Sequence, residues 1–278
     1  MRLASLGSGS KGNGTLVCAG DLLVLVDCGF SLRETERRLA ALGLSASDLA
    51  ALLVTHEHGD HVRGAGALAR KYKTPLYSTF GTARAVTGKA AGFHGADWRE
   101  VRPGRTFELA DMTVTPVTVP HDALEPCQYR FSWRQRELGV LTDLGSLTPH
   151  VVDAYRECDA LVLECNHEPD LLAAGPYPAS LKRRVGGNLG HLSNQQAAAL
   201  LAPSVRLSRD CLRPDGPFVG LTNPCSATPS TASFAARALS KRFRTLASDS
   251  PNQAVNSSGP FTERKFAPHS FATAFANR

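Results

Sequence analysis

At 278 residues the chain is long enough for one large α/β domain with a substantial core, and its formal net charge is +6. That excess is confined to one end: residues 1–202 carry 21 Lys+Arg against 21 Asp+Glu, so the whole surplus lies in 203–278. The balanced body gives no bulk-charge argument for a polyanionic partner, and no apolar run approaches bilayer-spanning length, which excludes helical membrane insertion.

In chain order, Met1-Arg2 leads directly into a strand-like stretch, without the basic and apolar segments of a secretory leader. Strands are predicted at 2–6, 14–19, 22–27, 51–55, 112–119, 128–133, 137–142 and 159–165. Ser31-Leu32-Arg33-Glu34 reads as a capping box opening a helix through Leu42, with Gly43 as its stop. Further helices are predicted at 61–73, 79–90, 147–156 and 178–185, and a last one opens at Ser193-Asn194-Gln195-Gln196 and runs through Leu201 before Pro203. The alternation of strands and helices predicts two sheets with helices packed outside.

Beyond Pro203 the texture changes. Seven prolines from Pro214 to Pro268 interrupt every window, and only Thr231 to Leu246 could form a basic helix with a ragged apolar face. Most of 203–278 is expected to be poorly ordered. Seven cysteines, an odd number with no C-x-x-C pair, fit reduced thiols and a cytoplasmic location.

The densest chemistry lies in Thr55-His56-Glu57-His58-Gly59-Asp60-His61, directly behind the apolar run Leu52-Leu53-Val54. Three imidazoles and a carboxylate this close repel one another when protonated and compete for partners when neutral, unless divalent cations complete them. On a tight loop leaving a strand, His56 and His58 can point to one side while Asp60 and His61 turn to another, an arrangement suited to two ions sharing one water.

This H-x-H-x-D-H loop resembles the signature of the metallo-β-lactamase superfamily of binuclear metallohydrolases. The resemblance implies an αββα sandwich over 1–202, His121 in V-P-H-D as the third histidine of the first metal, and Asp143 in L-T-D-L-G as a carboxylate bridging both ions. It makes Asp27, in L-V-D-C-G, a carboxylate that orients the histidine loop; a turn-forming aspartate is the plain alternative. Zinc is the expected metal, with manganese as the substitute, two ions per chain.

Within the superfamily the body is most similar to the YycJ (WalJ) branch, and more distantly to ribonuclease Z. The motifs are L-G-S-G-S-K-G-N at Leu6 to Asn13, L-V-T-H-E-H-G-D-H, V-P-H-D-A, G-V-L-T-D-L-G, L-E-C-N-H at Leu163 to His167, and G-H-L-S-N at Gly190 to Asn194. The branch implies a nucleic-acid substrate, DNA ahead of RNA, and exonuclease-like phosphodiester cleavage. By likeness to ribonuclease Z, Glu164 and His191 form a proton-donating pair for the leaving oxygen. Asp60 is a further candidate catalytic group, able to take the proton of the attacking water. A helix-capping role for His191 and a buried, amide-binding role for Glu164 are the structural alternatives.

His167 competes with Glu164 for such duty, and Asn166 could orient a phosphate. The Gly7 to Asn13 loop could present backbone N–H groups to a phosphate or be a simple turn. His94 and His150 fall outside every motif.

The superfamily's last motif, a strand followed by A-H-L-S that gives the second ion its final histidine, has no counterpart; His269 is the only histidine of the tail. The domain is thus expected to lack its final segment, through a frameshift or rearrangement near codon 203, and to bind the second ion weakly. Two other readings remain open: an ester, thioester or lactone hydrolase of the same fold, and a non-catalytic metal- or nucleic-acid-binding protein.

Overall fold

The computed structural model describes residues 1–89, 91–204 and 219–222, with side chains described through residue 201. Two six-stranded sheets face each other. The first has the order β1 (Arg2–Gly7), β2 (Gly14–Ala19), β3 (Leu22–Val26), β4 (Ala51–Leu53), β5 (Leu76–Ser78), β6 (Trp98–Glu100). The second runs β12 (Val219–Thr222), β11 (Ala160–Glu164), β10 (Arg136–Leu141), β9 (Cys127–Trp133), β8 (Met112–Thr118), β7 (Phe107–Leu109).

The sequence of β3, Leu-Leu-Val-Leu-Val, explains the layering. Side chains alternate across a strand, and this strand is apolar on both sides because both are covered. Leu23 and Leu25 face a helical layer, packing with Leu39 of α1 (Leu32–Ala40) and Leu68 of α3 (Ala65–Tyr72). Val24 and Val26 face the other sheet and meet Val114, Tyr129, Phe131 and Val140. Each such buried side chain contributes about 1.5–3 kcal/mol. On the far side, α5 (Pro149–Ala154) packs on β8 and on α8 (Asn194–Ser204), which covers β11. The result is the expected αββα sandwich.

All eight predicted strands are present, within two residues at each end. The predicted helix 61–73 is divided into α2 (Gly59–Val62) and α3, with Gly64 between them; a Cβ there would lie 2.3 Å from the Phe30 carbonyl oxygen. The helix predicted over 79–90 is shorter, α4 (Phe80–Ala85), and a 3-10 turn at Ala46–Asp48, α6 (Pro169–Ala174) and α7 (Ala179–Val185) complete the helices described here. The last described helix runs through Pro203 to Ser204, a difference within ordinary end effects.

Strands β5, β6, β7 and β12 lie outside the predicted set; the first three are as short as β4 but lack the continuous apolar run that marks β4 in the sequence. Strand β12 lies in the stretch expected to be poorly ordered, yet pairs parallel to β11 from Leu161↔Val219 to Glu164↔Thr222. The remainder of 203–278, with the helix predicted at Thr231 to Leu246 and His269, lies outside the described residues. Among the described residues no helix is long and apolar enough to cross a membrane.

The strands β3, β4, β8, β10 and β11 all deliver their C-terminal ends to one rim of the sandwich. Asp27 follows β3, His56 follows β4, His121 follows β8, Asp143 follows β10, and Glu164 ends β11.

Candidate metal centre and active site

Local sequence fixes the histidine loop before any ligand is considered. Asp27 adopts a left-handed φ of 62°, and its buried carboxylate accepts hydrogen bonds from the Thr55 N–H at 2.8 Å and the Thr55 hydroxyl at 2.9 Å. It thus both turns the chain after β3 and holds the start of the loop, so the two readings of this residue are compatible. The Cys28 N–H donates to the His61 carbonyl and the Asn13 N–H to the Asp60 carbonyl. Gly29 passes so close that an added Cβ would lie 1.6 Å from the Asp60 carbonyl oxygen.

Three imidazoles converge. His56 Nε2 lies 3.0 Å from His58 Nδ1, and His121 Nε2 lies 3.3 Å from the same atom. Their opposite nitrogens are engaged elsewhere: His56 Nδ1 with the Thr55 hydroxyl, His58 Nε2 with the Asp122 carbonyl, His121 Nδ1 with the Gly190 carbonyl. A carbonyl can only accept, so His58 and His121 carry their protons on the outer nitrogens and turn lone pairs inward. Burial holds His56 well below the usual imidazole range and His121 down at about 4, which keeps both neutral. Neutral imidazole lone pairs aimed at one point lack a common partner unless a cation supplies it, and hydrogen bonds to the outer nitrogens are the usual support of such ligands. The donor set fits a divalent metal.

A second group adjoins it. His61 Nδ1 meets Asp27 Oδ2 at 2.8 Å, and His61 Nε2 lies 3.1 Å from Asp143 Oδ2, with His56 within the same cluster. Burial works against a charge on His61, but Asp143 and Asp27 outweigh it and raise the imidazole well above its usual range. Burial likewise opposes ionisation of Asp143, whereas His61, His56 and His191 together hold its carboxyl well below the carboxylate range. Asp60 borders this group rather than joining it: its Oδ2 is 3.6 Å from His61 Nε2 and accepts from the Asn13 amide at 3.2 Å.

Glu164 is fully buried, and its Oε2 accepts from the Leu144 N–H at 3.0 Å and the Leu192 N–H at 3.3 Å. Its Oε1 lies 2.5 Å from His191 Nδ1, and His191 Nδ1 is 3.4 Å from Asp143 Oδ1. Burial pushes Glu164 up to about 7; on His191 burial is overcome by the Glu164 hydrogen bond and charge, which bring it to about 9. The pair therefore favours a protonated imidazole at neutral pH. Asp143, Glu164 and His191 form the third cluster of potential ligand atoms.

Some sequence-level candidates stand apart. His167 is absent from these clusters, the Asn166 side-chain amide donates to Glu164 at 3.4 Å, and His94 and His150 are exposed. In the glycine loop the N–H groups of Gly9, Gly12 and Asn13 are committed to Asn13 Oδ1, the Gly9 carbonyl and the Asp60 carbonyl, so these three do not form an open anion nest. Glu57 ties the histidine loop to the His121 loop by accepting the Leu124 N–H at 2.7 Å. Cys28 and Cys165 are buried free thiols, and the five cysteines among the described residues are all free.

Two further groups escaped the sequence reading. Asp122 places Oδ1 3.5 Å from His121 Nε2 and 3.6 Å from His58 Nε2, and its Oδ2 accepts from Arg184 Nε at 2.5 Å. The V-P-H-D motif contained Asp122, but nothing local distinguished it; Arg184 lay in a basic run that reads as a solvated helix face.

This fold and cluster define a metallohydrolase of the β-lactamase superfamily, and the chain belongs to that superfamily: residues 23–204 match the model of the beta-lactamase superfamily domain. Within it, the chain is 35% identical over 202 residues to the exodeoxyribonuclease YycJ of Bacillus anthracis, covering 73% of this chain and 76% of that protein. It is 31% identical to ribonuclease Z of a Mycobacterium species, over 74% of this chain and 73% of the relative. Among solved structures, Zn(2+)-bound PqqB from Methylobacterium extorquens shares the fold with a TM-score of 0.60 at 17% identity, covering 80% of this chain and 98% of that one.

Proposed function

We propose that this metal-dependent hydrolase cleaves phosphodiester bonds in nucleic acid, DNA ahead of RNA, in the manner of an exodeoxyribonuclease. The observation that carries the reading is the juxtaposition of the converging imidazoles with a buried Glu164–His191 pair. An in-line displacement at phosphorus needs a proton for the departing oxygen, which a small activated ester does not. Support also comes from the 35% identity to a protein named exodeoxyribonuclease.

In this reading His56, His58 and His121 would hold one ion, and Asp60, His61 and Asp143 the second. Zinc suits the imidazole-rich set, and manganese is the substitute. Divalent cations here supply Lewis acidity and a water of lowered pKa. Asp60, oriented by Asn13, accepts the proton of the attacking water. His191 delivers the proton of its Nε2 to the leaving alkoxide, while Glu164, hydrogen-bonded to Nδ1, keeps the imidazole charged and correctly turned.

The catalytic domain is assigned to 1–202, followed by an atypical tail from which Val219–Thr222 adds β12 beside β11; the family match ending at residue 204 supports this division. With no further histidine in the cluster of His56, His61 and Asp143 among the described residues, the second ion would bind more weakly than the first. A cytoplasmic location agrees with the free cysteines. The direct test is digestion of end-labelled single- and double-stranded oligodeoxynucleotides by zinc- or manganese-loaded protein beside H58A. Stepwise shortening lost in H58A supports the proposal, and intact oligonucleotide with every metal contradicts it.

A further inference from the structure

Arg184 occupies a place that the site as described does not use. It ends the basic turn Lys182-Arg183-Arg184 of α7, and its backbone is locked to the loop carrying His191. The His191 N–H donates to the Val185 carbonyl and the Gly187 N–H to the Arg184 carbonyl. Gly190 lies so close that an added Cβ would sit 2.0 Å from the Arg184 carbonyl oxygen, and the Gly190 carbonyl receives His121 Nδ1. The end of α7 is therefore fixed on the third imidazole of the first cluster.

The side chain continues this placement. Nε of Arg184 is held by Asp122 Oδ2, and Oδ1 of the same carboxylate lies 3.5 Å from His121 Nε2 and 3.6 Å from His58 Nε2. The Asp122 hydrogen bond, with the charges of Asp122 and Asp60, raises the Arg184 guanidinium above its usual range. The guanidinium is thus poised beside the imidazoles with its side chain 57% exposed, and Asp122 engages only Nε. Among the described residues Asp122 is the hydrogen-bond partner of this guanidinium, through Nε, which leaves the Nη donors for a further anion, in the planar fork that matches phosphate oxygens.

Resting on the phosphodiester reading, we propose that Arg184 is a phosphate-positioning residue, gripping a phosphate of the polynucleotide next to the one being cleaved. Asp122 aims the fork. Because Arg184 stands one residue outside the imidazoles, its ligand is a neighbouring phosphate rather than the reacting one. The ligand class is a strand with at least two phosphates, which distinguishes a polynucleotide from an isolated phosphodiester.

The test compares metal-loaded wild type, R184Q and R184K on a single-stranded oligodeoxynucleotide and on bis(p-nitrophenyl) phosphate, which has no second phosphate, with metal content measured for each protein. For R184Q the oligonucleotide KM is expected to rise about 10- to 100-fold, the range for a lost charged hydrogen bond, with a far smaller change in kcat. The slope of log affinity against log salt should flatten by about 0.7, one single-strand phosphate contact. R184K, which keeps the charge and loses the fork, should recover part of the KM. Hydrolysis of the small diester should change far less than that of the oligonucleotide.

If wild type cleaves the oligonucleotide while R184Q keeps its KM and salt slope, the inference about Arg184 fails and the nuclease reading stands. If R184Q instead loses kcat on both substrates together with bound metal, Arg184 acts only by holding Asp122, and the proposal is overturned. If metal-loaded wild type cleaves neither substrate, the phosphodiester reading itself fails, and the inference with it.

Discussion

The Asp27 carboxylate lies 2.8 Å from Nδ1 of His61, a residue 34 positions further along the chain, and both side chains are buried. The same carboxylate accepts both hydrogen-bond donors of Thr55, so the first and last residues of the histidine loop hang on one group. Rigidity of the cluster is therefore set from behind, at the end of β3.

Asp27→Asn keeps the shape but loses the charge facing His61. Its metal affinity should fall about 10- to 100-fold, the usual cost of losing a supporting partner of a ligand. Competition with a chromophoric chelator reads this directly. Unchanged affinity would mean that Asp27 serves only the turn.

Gly29→Ala places a methyl group where the Asp60 carbonyl now sits. Histidine-loop and glycine-loop contacts cannot both survive, so the variant should retain a folded sandwich by far-ultraviolet circular dichroism while losing tightly bound metal. Retention of wild-type metal content would show that the close approach is unimportant.

Tyr129 is fully buried between the sheets, and its hydroxyl donates to the Val54 carbonyl at 2.9 Å, immediately before the histidine loop. Tyr129→Phe leaves that carbonyl without this donor, at a cost of about 1–3 kcal/mol. A denaturant midpoint lowered without a change in m is the expected signature.

The sequence made the metal chemistry readable because the ligand types are improbable together: H-x-H-x-D-H, His121 after a strand-like run and Asp143 at the end of another all reach one rim. The layered core was equally legible, since the unbroken apolar run of β3 has only one economical explanation. The short strands β5, β6 and β7 were not, because their pairing is a tertiary matter. Asn13, Asp122 and Arg184 were hidden for a related reason. Asn13 sits in a loop whose sequence allows a phosphate nest, but its amide is spent on Asp60. Arg184 becomes meaningful only when α7 is folded against Gly190 and His121.

His191→Ala removes the proton donor while leaving the three imidazoles of the first cluster in place. Oligonucleotide cleavage should fall about 10²- to 10⁴-fold, the span expected for loss of general acid catalysis. Hydrolysis of a small activated ester by the same protein should fall much less. Equal losses on both substrates would favour an ester hydrolase over a nuclease.

The central claim, that the imidazoles and carboxylates at this rim hold divalent cations, is tested most directly by elemental analysis. Protein reconstituted with zinc or manganese and then desalted should retain one ion tightly and take up a second more weakly, with H58A losing the tight one. Negligible retained transition metal in the wild-type protein after reconstitution would contradict the account.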